Sequence, residues 1–218
     1  MQADKLETEK LLKEYTALAP AYDRYWPTYL HASLSMTAEL VADLPADRIL
    51  DVACGTGQLL EMLIEHPDEP ELFGIDRVPA MLEVAKQRIG QRAKLMEASA
   101  DELPFDQAAF QLVTCTNALH YFPDAAAALR EMRRVLVPSG NLVITDWCRD
   151  YATMKLLNRL LPWTRHAHVH TFSLSELEQN LARCGLRMIG SSRKKIDWFW
   201  GLMIVHAVPV PQKVSVFT

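Results

Sequence analysis

Arg48-Ile49-Leu50-Asp51-Val52-Ala53-Cys54-Gly55-Thr56-Gly57-Gln58-Leu59 reads as an apolar strand, a tight turn with two glycines, and the start of a helix. Gly55 and Gly57 remove Cβ atoms where the backbone must turn sharply, which lets a ligand approach the amides of the turn. A dinucleotide-binding turn has the form G-x-G-x-x-G/A, and here Leu60 stands at its third small position. The strand also ends in an acid, Asp51, which would repel a pyrophosphate and suits a ligand bearing a positive charge, such as an ammonium group. Both features argue against a nicotinamide dinucleotide.

Outward from this turn the chain alternates. β-rich runs recur at 48–53, 71–75, 94–97, 110–114 and 141–145, separated by helical spacing at 58–65, 80–89 and 124–135. Strands alternating with helices of that length imply right-handed crossovers and a parallel sheet covered on both faces. Asp124 is placed to cap the third of these helices, and Pro138-Ser139-Gly140 to turn the chain before the next strand. Ser173-Leu174-Ser175-Glu176 has the form of a capping box, and Gly185 stands where a helix ending near Cys184 needs a left-handed residue. Two further strand-like runs, 186–192 and 198–208, lie close enough in sequence to form an antiparallel hairpin. The expected fold is α/β, doubly wound and Rossmann-like. Its seven-stranded sheet is mostly parallel, ends in a C-terminal antiparallel hairpin, and carries helices on both faces.

Composition narrows the function. Half of the 218 residues are apolar, 23% are charged and eight are glycine, which excludes collagen-like, low-complexity and disordered chains. A net charge of −4 gives no global footprint for nucleic acid. Cys54, Cys115, Cys148 and Cys184 form no CxxC pair, so neither a zinc ribbon nor a small disulfide framework is expected. The N-terminus is charged where a signal peptide would be apolar, and the longest apolar run, 198–208, is too short to span a bilayer. A cytoplasmic protein without integral membrane association is expected. His166, His168 and His170 alternate, but no acid or cysteine nearby completes a ligand set, and no metal is expected.

Asp51 through Gly57 resembles the first motif, D-x-x-x-G-x-G, of the class I S-adenosylmethionine-dependent methyltransferases, with Ala53 where the fuller pattern has glycine. The resemblance continues through Gly74-Ile75-Asp76, whose acid would hold the ribose hydroxyls, and 98–105, where Asp101 would accept from the adenine amine. It extends to 116–121, facing the methionine portion, and to 129–140 before the fifth strand. It implies S-adenosylmethionine as cofactor and S-adenosylhomocysteine as product. The implied cofactor contacts are Asp51, Ala53, Gly55, Gly57, Asp76, Arg77, Met81, Ala100, Asp101, Glu102 and Asn117, joined by Tyr15 and Tyr22.

The segment 15–26 resembles the N-terminal helical lid of small-molecule methyltransferases, including the ubiquinone and menaquinone C-methyltransferases. It divides the chain into a lid region, 1–44, and a cofactor-binding domain, 45–218, with a cap or substrate insertion at 147–172. All five tryptophans lie outside 27–146, in the regions that form the acceptor pocket of this family. Tyr25, Trp26, Trp147 and Trp163 are accordingly candidate acceptor contacts, together with Arg165 from a basic stretch that also holds Arg149, Lys155 and Arg159.

Methyl transfer requires the nucleophile and methyl carbon aligned about 3–3.5 Å apart, and a base only where a proton must leave early. His120, after the fourth strand, is the first candidate for base or orienting group, and Asp146, ending the fifth, is the second. The expected partner is a small-molecule acceptor methylated at O, N or C, bound by a monomer or homodimer. The competing expectations are a cofactor-binding regulatory protein without chemistry and a lipid or quinone C-methyltransferase.

Overall fold

The computed structural model describes residues 2–66, 69–160 and 170–211. Helices α1 (Gln2–Leu18), α2 (Tyr22–Tyr25) and α3 (Pro27–Val41) precede strand β1 (Arg48–Val52). Helix α4 (Gln58–Leu63) leads to β2 (Glu71–Asp76), and α5 (Pro79–Ile89) to β3 (Ala93–Glu97). Then follow β4 (Phe110–Thr116), α6 (Ala125–Val135), β5 (Leu136–Trp147), α7 (Ala152–Leu160), α8 (Leu174–Arg183), β6 (Leu186–Lys195) and β7 (Gly201–Pro209).

The strands form one sheet in the order β3-β2-β1-β4-β5-β7-β6, parallel except that β7 runs against both of its neighbours. Residues alternate across it, so consecutive apolar side chains enter opposite layers. Ile49, Leu112, Val143 and Leu202 pack with Leu34 of α3 and Leu59, Leu60 and Leu63 of α4. Leu50, Val113, Ile144 and Met203 pack with Leu129 and Met132 of α6 and Leu177 and Leu181 of α8. Uninterrupted apolar strands therefore belong to a sheet covered on both faces.

Local signals set the boundaries. The Asp124 carboxylate accepts from the Ala127 amide at 2.8 Å, and Ser173 and Glu176 exchange both capping-box hydrogen bonds. Two of the boundaries that move from expectation have a local cause. The turn expected at 138–140 is instead a bulge inside β5, which already pairs Leu136 with Phe110 and resumes at Asn141 opposite Leu112. Gly140 permits this bulge, since a Cβ there would lie 2.9 Å from Leu136 and 3.0 Å from two carbonyl oxygens. The last strand starts at Gly201, not at 198, because the Asp197 carboxylate accepts from the amides of Phe199 and Trp200 and closes a turn. A Cβ on Gly201 would sit 2.0 Å from the Tyr151 ring.

The N-terminal helices divide their duties. Helix α3 lies on the sheet, where Thr37 Oγ1 is 2.7 Å from Thr145 Oγ1, whereas α1 and α2 border the ends of the strands.

Candidate cofactor and acceptor site

The carboxyl ends of β1, β2 and β4 open on a cavity of about 520 Å³, at the point where the strand order reverses between β1 and β4. Open α/β sheets bind ligands at this point, because the crossovers leave in opposite directions and part the loops. After β1 the backbone takes left-handed conformations at Ala53 (φ 59°), Gly55 (φ 53°) and Gly57 (φ 77°). Ala53 and Gly55 line the cavity. Gly57 does not; its missing Cβ lets α4 approach α5, where a methyl would lie 2.9 Å from Ala85 Cβ.

Two buried acids face the cavity. Asp51 is 2% exposed and accepts from Thr114 Oγ1 at 2.7 Å. Burial pushes its carboxyl up to about 7, with the Thr114 hydrogen bond pulling down and Asp76 adding repulsion. Asp76, ending β2, accepts from the amides of Gly55 at 2.9 Å and Val78 at 2.8 Å. Burial raises its pKa against the pull of those amides. Arg77, Met81, Ala100 and Asp101 line the same cavity, and Ser99 Oγ donates to the Asp101 carboxylate. Glu102, exposed beside them, does not reach it.

The opposite wall is apolar and phenolic: Leu11, Leu12, Tyr15 and Tyr22 from the N-terminal helices, with Tyr121 and Phe122 after β4. Tyr15 has its ring centroid 5.9 Å from that of Tyr22 and 5.5 Å from that of Tyr121. Burial raises all three phenols, Tyr121 to about 12, so they are neutral at pH 7. Asn117 also lines the cavity and holds a left-handed φ of 60° without being glycine. Its amide group is fixed on both sides: Tyr29 Oη donates to Oδ1 at 2.6 Å, and Nδ2 donates to Ser33 Oγ at 2.7 Å. A strained residue so thoroughly held beside a cavity is a functional candidate.

His120 and Asp146 meet each other rather than the cavity. His120 is 2% exposed, its Nδ1 hydrogen-bonds Asp146 Oδ1, and its ring stacks on Trp147 with centroids 4.1 Å apart. The Asp146 carboxylate also accepts the amides of His120 at 3.0 Å and Trp147 at 2.6 Å. The pair thus pins the turn that carries Tyr121, and His120 Nε2 is buried without a hydrogen-bond partner among the described residues. Trp147, Tyr25 and Trp26 also lie outside the cavity lining, the last two on the surface. Trp163, Arg165, His166 and His168 fall outside the described residues.

A network that the sequence reading missed joins the N-terminal helices to the glycine turn. Asp23 accepts from Thr56 Oγ1 at 2.7 Å and pairs with Arg88, whose Nε donates to the Thr56 carbonyl at 2.9 Å. Its residues are 33 and 65 positions apart, beyond any local motif.

The strand order with β7 alone reversed, between β5 and β6, and acids at the ends of β1 and β2 around a glycine turn, have the form of a class I S-adenosylmethionine-dependent methyltransferase domain. Residues 49–140 match the family described as methyltransferase domain. It is 35% identical over 158 residues to a demethylmenaquinone methyltransferase of Deinococcus radiodurans, a match covering 66% of this chain and 63% of that protein. It is 37% identical over 145 residues to a demethylmenaquinone methyltransferase of Thermus thermophilus, covering 61% and 64%. The chain thus spans just under two thirds of the length of these curated relatives. Among solved structures, DhpI in complex with SAH superposes with a TM-score of 0.72 at 21% identity, covering 94% of this chain and 97% of that one. No helix of the described residues is long and apolar enough to cross a membrane.

Proposed function

We propose that the chain transfers the methyl group of S-adenosylmethionine to a small, uncharged, largely apolar acceptor held between the N-terminal helices and the strand ends. One observation carries this reading. A single cavity has buried carboxylates on one wall and neutral phenols and leucines on the other. Its volume of about 520 Å³ lies within the range of small-molecule sites, about 300–1,000 Å³. The residues present fit the cofactor. Asp51 is a buried acid with one side-chain donor among the described residues, and its raised pKa marks a place where a cation would relieve the penalty of charge. Asp76 has an amide on each oxygen, with lone pairs to spare for hydroxyls. Met81 and Ala100, buried in the lining that also holds Asp76 and Asp101, suit a flat heterocycle.

When bound, S-adenosylmethionine supplies an electrophilic methyl on a sulfonium. The chain's own residues supply position and exclusion of water. Asp51 would hold the ammonium, Asp76 the ribose hydroxyls and Asp101 the adenine amine, while Ala53 and Gly55 keep side chains clear of the turn. Tyr15, Tyr22, Leu11 and Leu12 close the acceptor side with apolar surface, which favours a neutral ring or chain over an anion. Asn117 offers the amide hydrogen that Ser33 does not take. His120 and Asp146 act through the Tyr121 turn as positioning residues, because neither reaches the cavity. The demethylmenaquinone methyltransferases among the relatives make a quinol-like ring a rational first acceptor to try. Buried free thiols at Cys54, Cys115, Cys148 and Cys184 suit a reducing, cytoplasmic setting.

Calorimetry with S-adenosylmethionine, S-adenosylhomocysteine and NAD tests the cofactor. Both sulfur nucleotides should bind, NAD should not, and Asp76→Ala should abolish binding. S-adenosylhomocysteine release on a panel of quinols, phenols, amines and thiols then tests turnover. Binding of cofactor without turnover on any of them would favour a regulatory protein.

A further inference from the structure

Tyr25 (62% exposed), Trp26 (45%), Leu156 (58%) and Trp198 (78%) are large apolar side chains left in solvent. None lines the cavity, and three contacts bring the segments that carry them together. Trp26 meets Trp200 edge-on at 6.2 Å. Trp198, Phe199 and Trp200 meet edge to face in succession, with centroids 5.5 and 4.9 Å apart, within the β6–β7 turn. Thr153 Oγ1 donates to the Phe199 carbonyl at 2.6 Å, which fastens the start of α7, and Leu156 with it, to the same turn.

Cations frame this surface in a chain whose net charge is −4. Arg24 precedes Tyr25, Lys155 and Arg159 flank Leu156 on α7, and Lys194 and Lys195 end β6. All are exposed, and none forms an ion pair among the described residues. The acid of the turn, Asp197, directs its carboxylate at backbone amides.

We propose that this face docks on an anionic lipid surface, with Trp198 and Trp26 entering the headgroup layer and the lysines and arginines meeting lipid phosphates. Indole rings combine an apolar body with a polar N–H and are enriched at membrane interfaces. Apolar side chains or cations alone bind reversibly and weakly, whereas the two together give stable attachment. Protein–protein interfaces are depleted in lysine relative to the rest of the surface, so the lysines beside the rings favour lipid over a protein partner. Helix α2 places Tyr22 in the cavity and Tyr25 on this face, so the docked surface adjoins the cavity's apolar wall. The contact is peripheral and does not depend on methyl transfer.

Co-sedimentation with phosphatidylcholine vesicles, with and without phosphatidylglycerol, tests the assignment. The wild-type chain should sediment with the anionic vesicles, less so at high salt, and its tryptophan emission should shift to the blue. Each cation near such a surface contributes roughly fivefold to partitioning, so Lys194→Glu combined with Lys195→Glu should lower it at least about twentyfold. Trp198→Asp should also lower it, and both proteins should keep the wild-type melting temperature. No binding of the wild type to anionic vesicles, or unchanged partitioning of both variants, overturns the proposal. So does a wild-type dimer that Trp198→Asp converts to monomer in light scattering, which would assign the face to a second copy of the chain.

Discussion

Asp51→Asn isolates the charge at the floor of the cavity, because the amide keeps the shape of the side chain and can still accept from Thr114. The carboxyl is displaced from an ordinary 3.8 to about 7, mainly by burial. A folded-state pKa above the unfolded value means that the folded chain holds the extra proton. Its contribution to stability is therefore complete below about pH 4 and is lost as pH rises through about 7. Between pH 5 and pH 8 the wild type should lose about 3 kcal/mol from this group that the variant does not lose. Urea unfolding of both unliganded proteins at the two pH values reads that difference directly.

Ligand binding runs in the opposite direction. A ligand with an ammonium group binds the carboxylate form, and a group of pKa about 7 is largely protonated at pH 6. The affinity of the wild type for S-adenosylhomocysteine should fall about tenfold from pH 8 to pH 6. Asp51→Asn should bind more weakly at pH 8 and lose most of this dependence. An affinity that stays level from pH 6 to pH 8, together with no growth in the stability gap, would refute Asp51 as a buried acid awaiting a cation.

Other substitutions probe the turn and the wall. Gly57→Ala combines a left-handed φ of 77° with a methyl 2.9 Å from Ala85, and should cost about 2–4 kcal/mol in denaturant unfolding. Ala53→Gly should relieve a φ of 59° and stabilise by up to about 1 kcal/mol, with S-adenosylhomocysteine affinity kept in calorimetry. Asp146→Ala removes the acceptor of the His120 amide, His120 Nδ1 and the Trp147 amide. It should cost about 3–5 kcal/mol, and a fall in turnover without that loss of stability would point instead to a direct role in chemistry.

The sheet was legible because its signals are short in range. A strand, a glycine turn and a helix fit within 48–59, and Asp76 ends the next strand at a spacing that the crossover fixes. The same locality hid the bulge in β5: Pro138-Ser139-Gly140 reads as a turn but lies within a strand that has already begun, and pairing with Phe110 is invisible without its partner. Gly201 carried no readable role in the sequence because the ring that forbids its Cβ belongs to Tyr151, in another segment.

The acceptor side failed to be read for a related reason. Position after a strand says that His120 and Trp147 are near the site, but not which way their side chains point. Here Asp146 accepts three donors at once, and this turns His120 into the core and stacks Trp147 on it. The wall that does face the cavity is built from pairs far apart in sequence, such as Tyr15 on Tyr121, with Asn117 braced by Tyr29 at 88 positions' distance. The proposed cofactor contacts sit on the backbone path at the strand ends, which local sequence already specifies. Acceptor contacts depend on how helices packed from elsewhere orient their side chains, so the wall of the cavity that α1 and α2 contribute is where one such chain can differ from the next.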